Sequence, residues 1–348
     1  MIKYLGSKRL LTRTIAATLS DLPPGARVLD VFSGTSRVGQ ALKQIGLQVT
    51  ANDHNAYAHT IAQCYIGANK SEWEAEATRV VDALNAVGPR PGWFTENYCE
   101  KARFFHPDNG ARVDAIRDHI DTMDLEPTLR AIALISLMEA ADRVDSTTGV
   151  QMAYLKSWAP RALKPLKLRV PELIDGEGSA TQLEAAEAAT IFRGDAAYLD
   201  PPYNQHSYRS NYHIWETLVR WDRPEVYGIA RKRIDCKTEK SAFNSRPKIQ
   251  AAFQEVLNAL TVDRIVVSFN NEGYLARDTI ETMLSQHGSV HTLALDYKRY
   301  VGAQIGIHNL KGERVGKVSH TRNKELLFIV DADPKRAANA ARNAEAAS

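Results

Sequence analysis

The chain has 348 residues, of which 44% are hydrophobic, enough to build a large core plus an inserted or second small domain. No apolar run approaches the length of a membrane span and the N-terminus shows no signal-peptide pattern, so membrane and secreted classes are set aside. The formal charge of +3 permits a polyanionic partner without demanding one. Three widely spaced cysteines (Cys64, Cys99, Cys236) form neither a disulfide framework nor a zinc cluster, and they point to a reducing, cytoplasmic interior.

In chain order, KYLGSKRLLTRTIAATLSDL (3–22) opens with a glycine turn and continues with apolar residues at helical spacing. RVLDVF (27–32) reads as a buried parallel strand and SGTS as a small-residue turn. RVGQALKQIG is a helix stopped by Gly46, and LQVTAND is a second strand. This βαβ unit ends its strands in acids, Asp30 and Asp53. Residues 56–85 read as helical. From about 89 to 178 the pattern changes to an inserted, mostly helical module, with EPTLRAIALISLMEAADRV as its strongest helix and a basic, proline-punctuated SWAPRALKPLKLRVPEL. The α/β rhythm then returns: a short strand, a helix, and the apolar run Ala196–Leu199 ending in Asp200-Pro201-Pro202-Tyr203. Further on, PKIQAAFQEVLNAL is a helix and DRIVVSFNNEGY a strand, while HTLALDYKRY and KELLFIV are strands flanking a glycine-rich basic loop. The tail from about 333 is expected to be flexible.

Two stretches carry chemistry. The turn in DVFSGTS places backbone N–H groups and a helix N-terminus where a ligand can approach, and Asp53 ends the next strand where nucleoside-binding doubly wound folds grip ribose hydroxyls. The turn is not GxGxxG and lacks a phosphate-loop lysine, which favours a nucleoside without a pyrophosphate over NAD or ATP. The second stretch is DPPY. Two prolines cannot continue a central strand, so they make a stiff loop that presents a carboxylate, carbonyls and an aromatic face. Asp30, Asp53, Asp200 and SFNN (268–271) all fall at carboxyl ends of expected parallel strands, where such sheets bind ligands.

KYLGSKR, DVFSGTSRVG, Asn52-Asp53, DPPY, NYHIWETL and SFNNEG occur in this order over most of residues 1–330, and together they resemble the Dam-type (α-class) N6-adenine DNA methyltransferases, particularly those of restriction–modification systems. One departure is FSGTS, where many members carry a more glycine-rich FxGxG. The resemblance implies a doubly wound, mostly parallel, seven-stranded Rossmann-like α/β sheet with an antiparallel strand near its C-terminal end. It also implies a catalytic domain formed by 1–88 and 179–332, with 89–178 as the inserted target-recognition module.

The cofactor so implied is S-adenosyl-L-methionine. Tyr4 and Lys8 would pack against and bond it, Asp30 and Phe32 would line its methionine end, and Ser33, Gly34 and Thr35 would form its loop. Asp53 would take the ribose hydroxyls. Glu184 and Ala185 stand about where the family contacts the cofactor's adenine. Asp200, Pro201, Pro202 and Tyr203 would form the catalytic loop.

The partner so implied is double-stranded DNA, with a cognate restriction endonuclease possible, and either a monomer or a homodimer allowed. DNA contacts are expected from Tyr203, Asn204, Tyr212, His213, Lys156, Arg161, Lys232, Lys237 and Asn270. The basic stretches 156–169, 231–248, Lys298, Arg299 and 311–324 would track phosphates. Tyr212, Ile214 and Trp215 also fit a helix's packing face. His106, His119 and Cys64 lack metal-ligand spacing. Alternatives to adenine-N6 methylation of DNA are cytosine-N4 methylation, RNA adenine methylation, a non-catalytic nucleic-acid binder and a small-molecule methyltransferase. The aspartate of DPPY argues for adenine.

Overall fold

A computed structural model describes residues 2–298, 307–308, 314–316 and 322–348. The expected basic positions Arg299, Lys311 and Lys317 lie outside the described residues. The main sheet is built from β1 (Arg27–Asp30), β2 (Gln48–Asn52), β3 (Gly178–Thr181), β4 (Ala196–Leu199), β5 (Arg264–Asn270), β6 (Ser289–Lys298) and β7 (Arg322–Asp331). Their order is β3-β2-β1-β4-β5-β7-β6. All neighbours from β3 through β5 pair in parallel, and β7 runs antiparallel to both β5 and β6. The chain leaves β1 toward one edge and returns to β4 on the other side, so β1 and β4 flank the switch point where such sheets bind ligands.

The central strands are apolar because both of their faces are covered, and every residue of β4 and β5 is buried. Alternation divides them cleanly. Val28, Ala196, Tyr198, Val266, Leu327 and Ile329 face a layer containing α1 (Thr12–Ala17) and α2 (Arg37–Gln44). Leu29, Ala197, Leu199, Ile265, Val267 and Phe328 face α7 (Ala185–Ile191), α9 (Ile249–Ala259) and α10 (Arg277–Leu284). Helix α2 ends where expected, at Gly46, whose φ of +85° satisfies the left-handed stop that other residues resist.

The structure refines three expectations. The helical stretch 56–85 is α3 (Ala56–Ala62), a wide helical turn over Gln63–Gly67, an extended break at Ala68–Asn69, and then α4 (Lys70–Ala86). The break is stabilised by buried Lys43, whose Nζ donates to the carbonyls of Ile66 and Ala68 at 2.9 and 2.8 Å. Next, the segment 89–178 has no separate core. Its helices α5 (Pro107–Thr122) and α6 (Pro127–Arg143) share one hydrophobic cluster with α3, α4 and α8 (His213–Arg220). Finally, the tail is ordered. Residues Pro334–Ala347 form α11, capped by the Asp333 side chain, which accepts from Lys335 N, and started by proline. Ala337, Ala340, Ala341 and Ala344 are buried at i, i+3, i+4 and i+7. These alanines leave room for close packing, and Ala340, Ala341 and Ala344 lie in one cluster with Ile15, Leu19 and Ile329.

Candidate active site

A cleft enclosing about 1000 Å³ of space, including its open mouth, lies outside the carboxyl ends of β1, β2 and β4. Its walls include Tyr4, Lys8, Asp30, Phe32, Ser33, Gly34, Thr35, Asp53, Glu184, Ala185, Asp200 and Pro202. All the residues expected at a cofactor therefore converge on one cavity, from five separate stretches of chain.

The turn after β1 does this by two left-handed residues, Gly34 at φ +49° and Ser36 at φ +55°. They fold the chain back so that Gly34 N donates to Asp53 Oδ2 at 3.1 Å, while Asp53 Oδ1 accepts from Asn55 N at 2.9 Å. Gly34 lies close under the Tyr4 ring, so an added Cβ would meet Tyr4 at 3.4 Å. Tyr4 itself packs near-parallel to both Tyr208 and Tyr212, with centroids at 5.2 and 4.5 Å, and its hydroxyl bonds that of Tyr57 at 3.0 Å. The N-terminal segment is thereby docked onto the segment after DPPY.

Buried polar atoms on the cleft side lack partners among the described residues: Asp30 Oδ1, Ser33 Oγ and Asn55 Oδ1. A polar ligand would satisfy them, which fits the donor and acceptor set of an amino-acid and ribose-bearing molecule. Burial pushes the Asp30 carboxyl up to about 8, with repulsion from Asp200 and Asp53 adding to it. Three acids crowd the floor of the cleft, and a cationic ligand placed there would draw Asp30 back toward its charged form.

The DPPY loop leaves β4 at Leu199. Asp200 Oδ1 accepts from Lys8 Nζ at 2.9 Å, and Lys8 Nζ also reaches Glu325 Oε1 at 2.7 Å. Burial raises the Asp200 carboxyl to about 6; Lys8 opposes that rise and Glu325 adds to it. Burial alone would lower Lys8, but the two carboxylates outweigh it and hold its ammonium well above the ordinary range. Lys8 thus contacts the DPPY loop directly. Tyr203 lies against Phe269, with centroids 5.8 Å apart, and its carbonyl accepts from Tyr274 N at 2.8 Å, which fixes the far end of the loop.

The expected DNA contacts divide. Tyr212 is buried in the tyrosine stack and its hydroxyl accepts from Leu5 N at 2.5 Å, so it is a packing residue. His213 is fully buried: its Nε2 lies 2.8 Å from the Gln151 carbonyl, and burial depresses it to about 3. Both rings are turned inward, because α8 packs this face into the core. Asn270 is buried too, its side-chain oxygen accepting from Glu272 N at 2.9 Å within a turn. Asn204 Oδ1 accepts from His206 N at 3.0 Å, and its carbonyl accepts from Asn244 Nδ2 at 2.7 Å, which shapes the loop after DPPY. Arg161 is tied to Asp145 at 2.8 Å. Lys156 and Lys237 are exposed, and Lys232 is half-buried. Lys232 and Lys237 both lie over the Tyr227 ring, at 5.2 and 4.0 Å, on a short hairpin made by Val226–Tyr227 and Lys232–Arg233.

Several lining residues carried no readable signal. Phe243, Asn244, Ser241 and Glu239 come from the basic stretch after the hairpin, and Phe243 meets Phe32 edge-on at 5.0 Å. His54, absent from the expected site residues, pairs with Glu184 at 3.3 Å; its place beside Asp53 is the signal that could have found it. Glu325 lies 125 residues beyond Asp200, and only the antiparallel insertion of β7 beside β5 brings it to this edge.

The sheet order, together with a cleft that joins the turn after β1 to the proline loop after β4, defines a doubly wound α/β protein with a ligand site at its switch point. Residues 4–271 match the D12 class N6 adenine-specific DNA methyltransferases, and the chain belongs to that family. It is 27% identical to the type II methyltransferase M.NlaIII of Neisseria lactamica, over 93% of this chain and 99% of that one. Identity to the type II methyltransferase M.FokI of Planomicrobium okeanokoites is 29%, over 86% of this chain and 50% of the relative. With the type II methyltransferase M.CviAII of Paramecium bursaria Chlorella virus 1 it is 25%, over 86% and 92%. The enzyme is therefore a DNA adenine-N6 methyltransferase, resembling those of restriction–modification systems. No helix among the described residues is long and apolar enough to cross a membrane.

Proposed function

We propose that the cleft binds S-adenosyl-L-methionine and that Asp200, Pro201, Pro202 and Tyr203 act on an adenine turned out of double-stranded DNA at a specific site, as part of a restriction–modification system. The observation that carries this reading is the convergence of the β1 turn, Asp53 and the DPPY loop on one cavity at the switch point. Bound S-adenosyl-L-methionine supplies an electrophilic methyl group on a sulfonium.

The chain's own residues supply the rest. The lone pair of adenine N6 is delocalised into the ring, so the amino group is a poor nucleophile. The Asp200 carboxylate and the Pro201 carbonyl accept its two N–H bonds and draw the nitrogen toward tetrahedral geometry. Pro201 and Pro202 lack N–H groups and fix the loop, so both acceptors are preorganised. The Asp200 carboxylate also stabilises the positive charge that develops on N6, and no proton need leave before attack. Tyr203 offers a face for the extruded base, which is unreachable inside a duplex. On the cofactor side, Asp53 takes the ribose hydroxyls, Tyr4 and Phe32 pack on apolar surface, and Asp30 faces the cationic end. Segment 89–178 and the hairpin bearing Lys232, with Lys237 on the turn of helix after it, serve target and phosphate contact.

The test is incubation with isotopically labelled S-adenosyl-L-methionine and unmethylated genomic DNA, followed by nucleoside digestion and mass spectrometry. Labelled N6-methyladenine confined to one sequence context is the expected product. Labelled N4-methylcytosine, or label found in RNA alone, contradicts the reading.

A further inference from the structure

Glu325 lies beyond the residues that match the family and has no part in the chemistry above. Its position is nonetheless specific. In the β5–β7 ladder it stands opposite Asn270, at the carboxyl end of β5 and on the same sheet edge as Asp200. Its side chain is 5% exposed, and Oε1 lies 2.7 Å from Lys8 Nζ, whose other carboxylate partner is Asp200 at 2.9 Å. One buried ammonium is thus shared between two carboxyl groups.

Sharing matters because a lysine ammonium is a compact point charge that moves to its nearest partner. With Asp200 as its only partner, Lys8 would neutralise the carboxylate that has to meet the substrate amino group. We propose that Glu325 is a positioning residue that holds Lys8 between the two carboxylates, so that Asp200 keeps a negative charge for the amino group of the target base. This rests on the reading of Asp200 as the acceptor for that amino group.

The remaining groups around Asp200 leave this control to Lys8 and Glu325. Tyr198 and Tyr208 are held well above the ordinary tyrosine range by burial, and Tyr203 is pushed up to about 12, so all three stay neutral near pH 7. Asp30, raised to about 8, is mostly neutral in the acid range. Glu272 acts on Tyr203 from the turn after β5. Glu325 itself adds to the upward displacement of Asp200.

The test is the single-turnover methylation rate as a function of pH in wild type, Glu325→Gln and Glu325→Asp, with cofactor binding measured alongside. In wild type the rate falls as pH drops through about 6, as Asp200 takes up a proton. In Glu325→Gln the acid limb moves to lower pH and the plateau falls on the order of tenfold, because Lys8 closes on Asp200. Glu325→Asp keeps the charge but sets it back by one methylene, so its limb moves down less than that of Glu325→Gln and most of the plateau returns. A limb unmoved in Glu325→Gln, with any loss of rate equal at every pH, makes Glu325 merely structural and overturns the proposal. Should Glu325→Gln fail to fold, Glu325→Asp decides. Its carboxylate is set back by one methylene, so a smaller downward move of the limb supports the proposal and an unmoved limb overturns it. Asp200→Asn separates the two levels. If it methylates normally, the reading of Asp200 fails. If it is inactive while Glu325→Gln keeps the wild-type limb, only the role of Glu325 fails.

Discussion

Strands β5 and β7 bury a cation between two carboxylates at each end of their ladder, and the two ends differ in what they do to the acids. At the end away from the cleft, Arg264 Nε donates to Asp331 at 2.9 Å, and its Nη atoms reach Asp21 and the Thr18 carbonyl. Asp331 also accepts from Arg336 at 3.0 Å and from Asp333 N at 2.9 Å. Burial would raise Asp21, but the Arg264 guanidinium outweighs it and holds the carboxyl below its ordinary range. That end ties α1, β5, β7 and α11 together. At the cleft end a lysine replaces the arginine, with fewer donors for two buried acids, and Asp200 is pushed up to about 6. A guanidinium satisfies its neighbours; an ammonium shared between two carboxylates leaves one of them reactive.

The sharpest way to break this contrast is to remove the cation at the structural end. Arg264→Met should destabilise the fold by roughly 3–5 kcal/mol, because buried Asp331 and the Asp21 contact lose their partner. The methylation rate per folded molecule should stay as in wild type. Chemical denaturation and a single-turnover assay check the two halves.

Asp30→Asn sharpens the contrast from the cleft side. A buried acid raised to about 8 binds its proton more tightly folded than unfolded, so its contribution turns against stability as pH rises from the ordinary carboxylate range through about 8. The Asn variant should therefore be more stable than wild type above pH 8 and should bind the cofactor more weakly, a trade typical of functional sites. Melting curves at several pH values, with calorimetric titration of S-adenosyl-L-methionine, read both effects.

The smallest effect belongs to the surface. Lys237→Ala should leave fold and chemistry intact, weaken DNA binding equally across sequences, and reduce the slope of log affinity against log salt by about 1.

Much of this was legible in the chain. An acid ending each expected parallel strand located Asp30, Asp53 and Asp200, because period-two apolar runs and proline stops are local signals. The proline loop and the small-residue turn announced themselves for the same reason. What was not legible was set by tertiary placement. His213 looks like a surface aromatic beside a basic run, yet the packing of α8 buries it, whereas for Tyr212 the alternative of a helix's packing face was already readable. The alanine-rich tail reads as frayed because its helix needs α1 and the sheet to cover its small-residue stripe. Helices 107–143 read as a module because sequence does not reveal that α3, α4 and α8 complete their core. Glu325 lies in an unremarkable KELLF segment, and only the antiparallel seventh strand brings it to Lys8.

The most direct test of the central claim is a paired measurement on Asp200→Asn: binding of S-adenosyl-L-methionine and of DNA, then methyl transfer in a single turnover. Asparagine keeps the shape of the loop and removes the charge. The account predicts binding of both partners close to wild type and a transfer rate reduced on the order of 1000-fold. Transfer at the wild-type rate, with N6-methyladenine still formed, would contradict it and place the charge that activates the amino group elsewhere in the cleft.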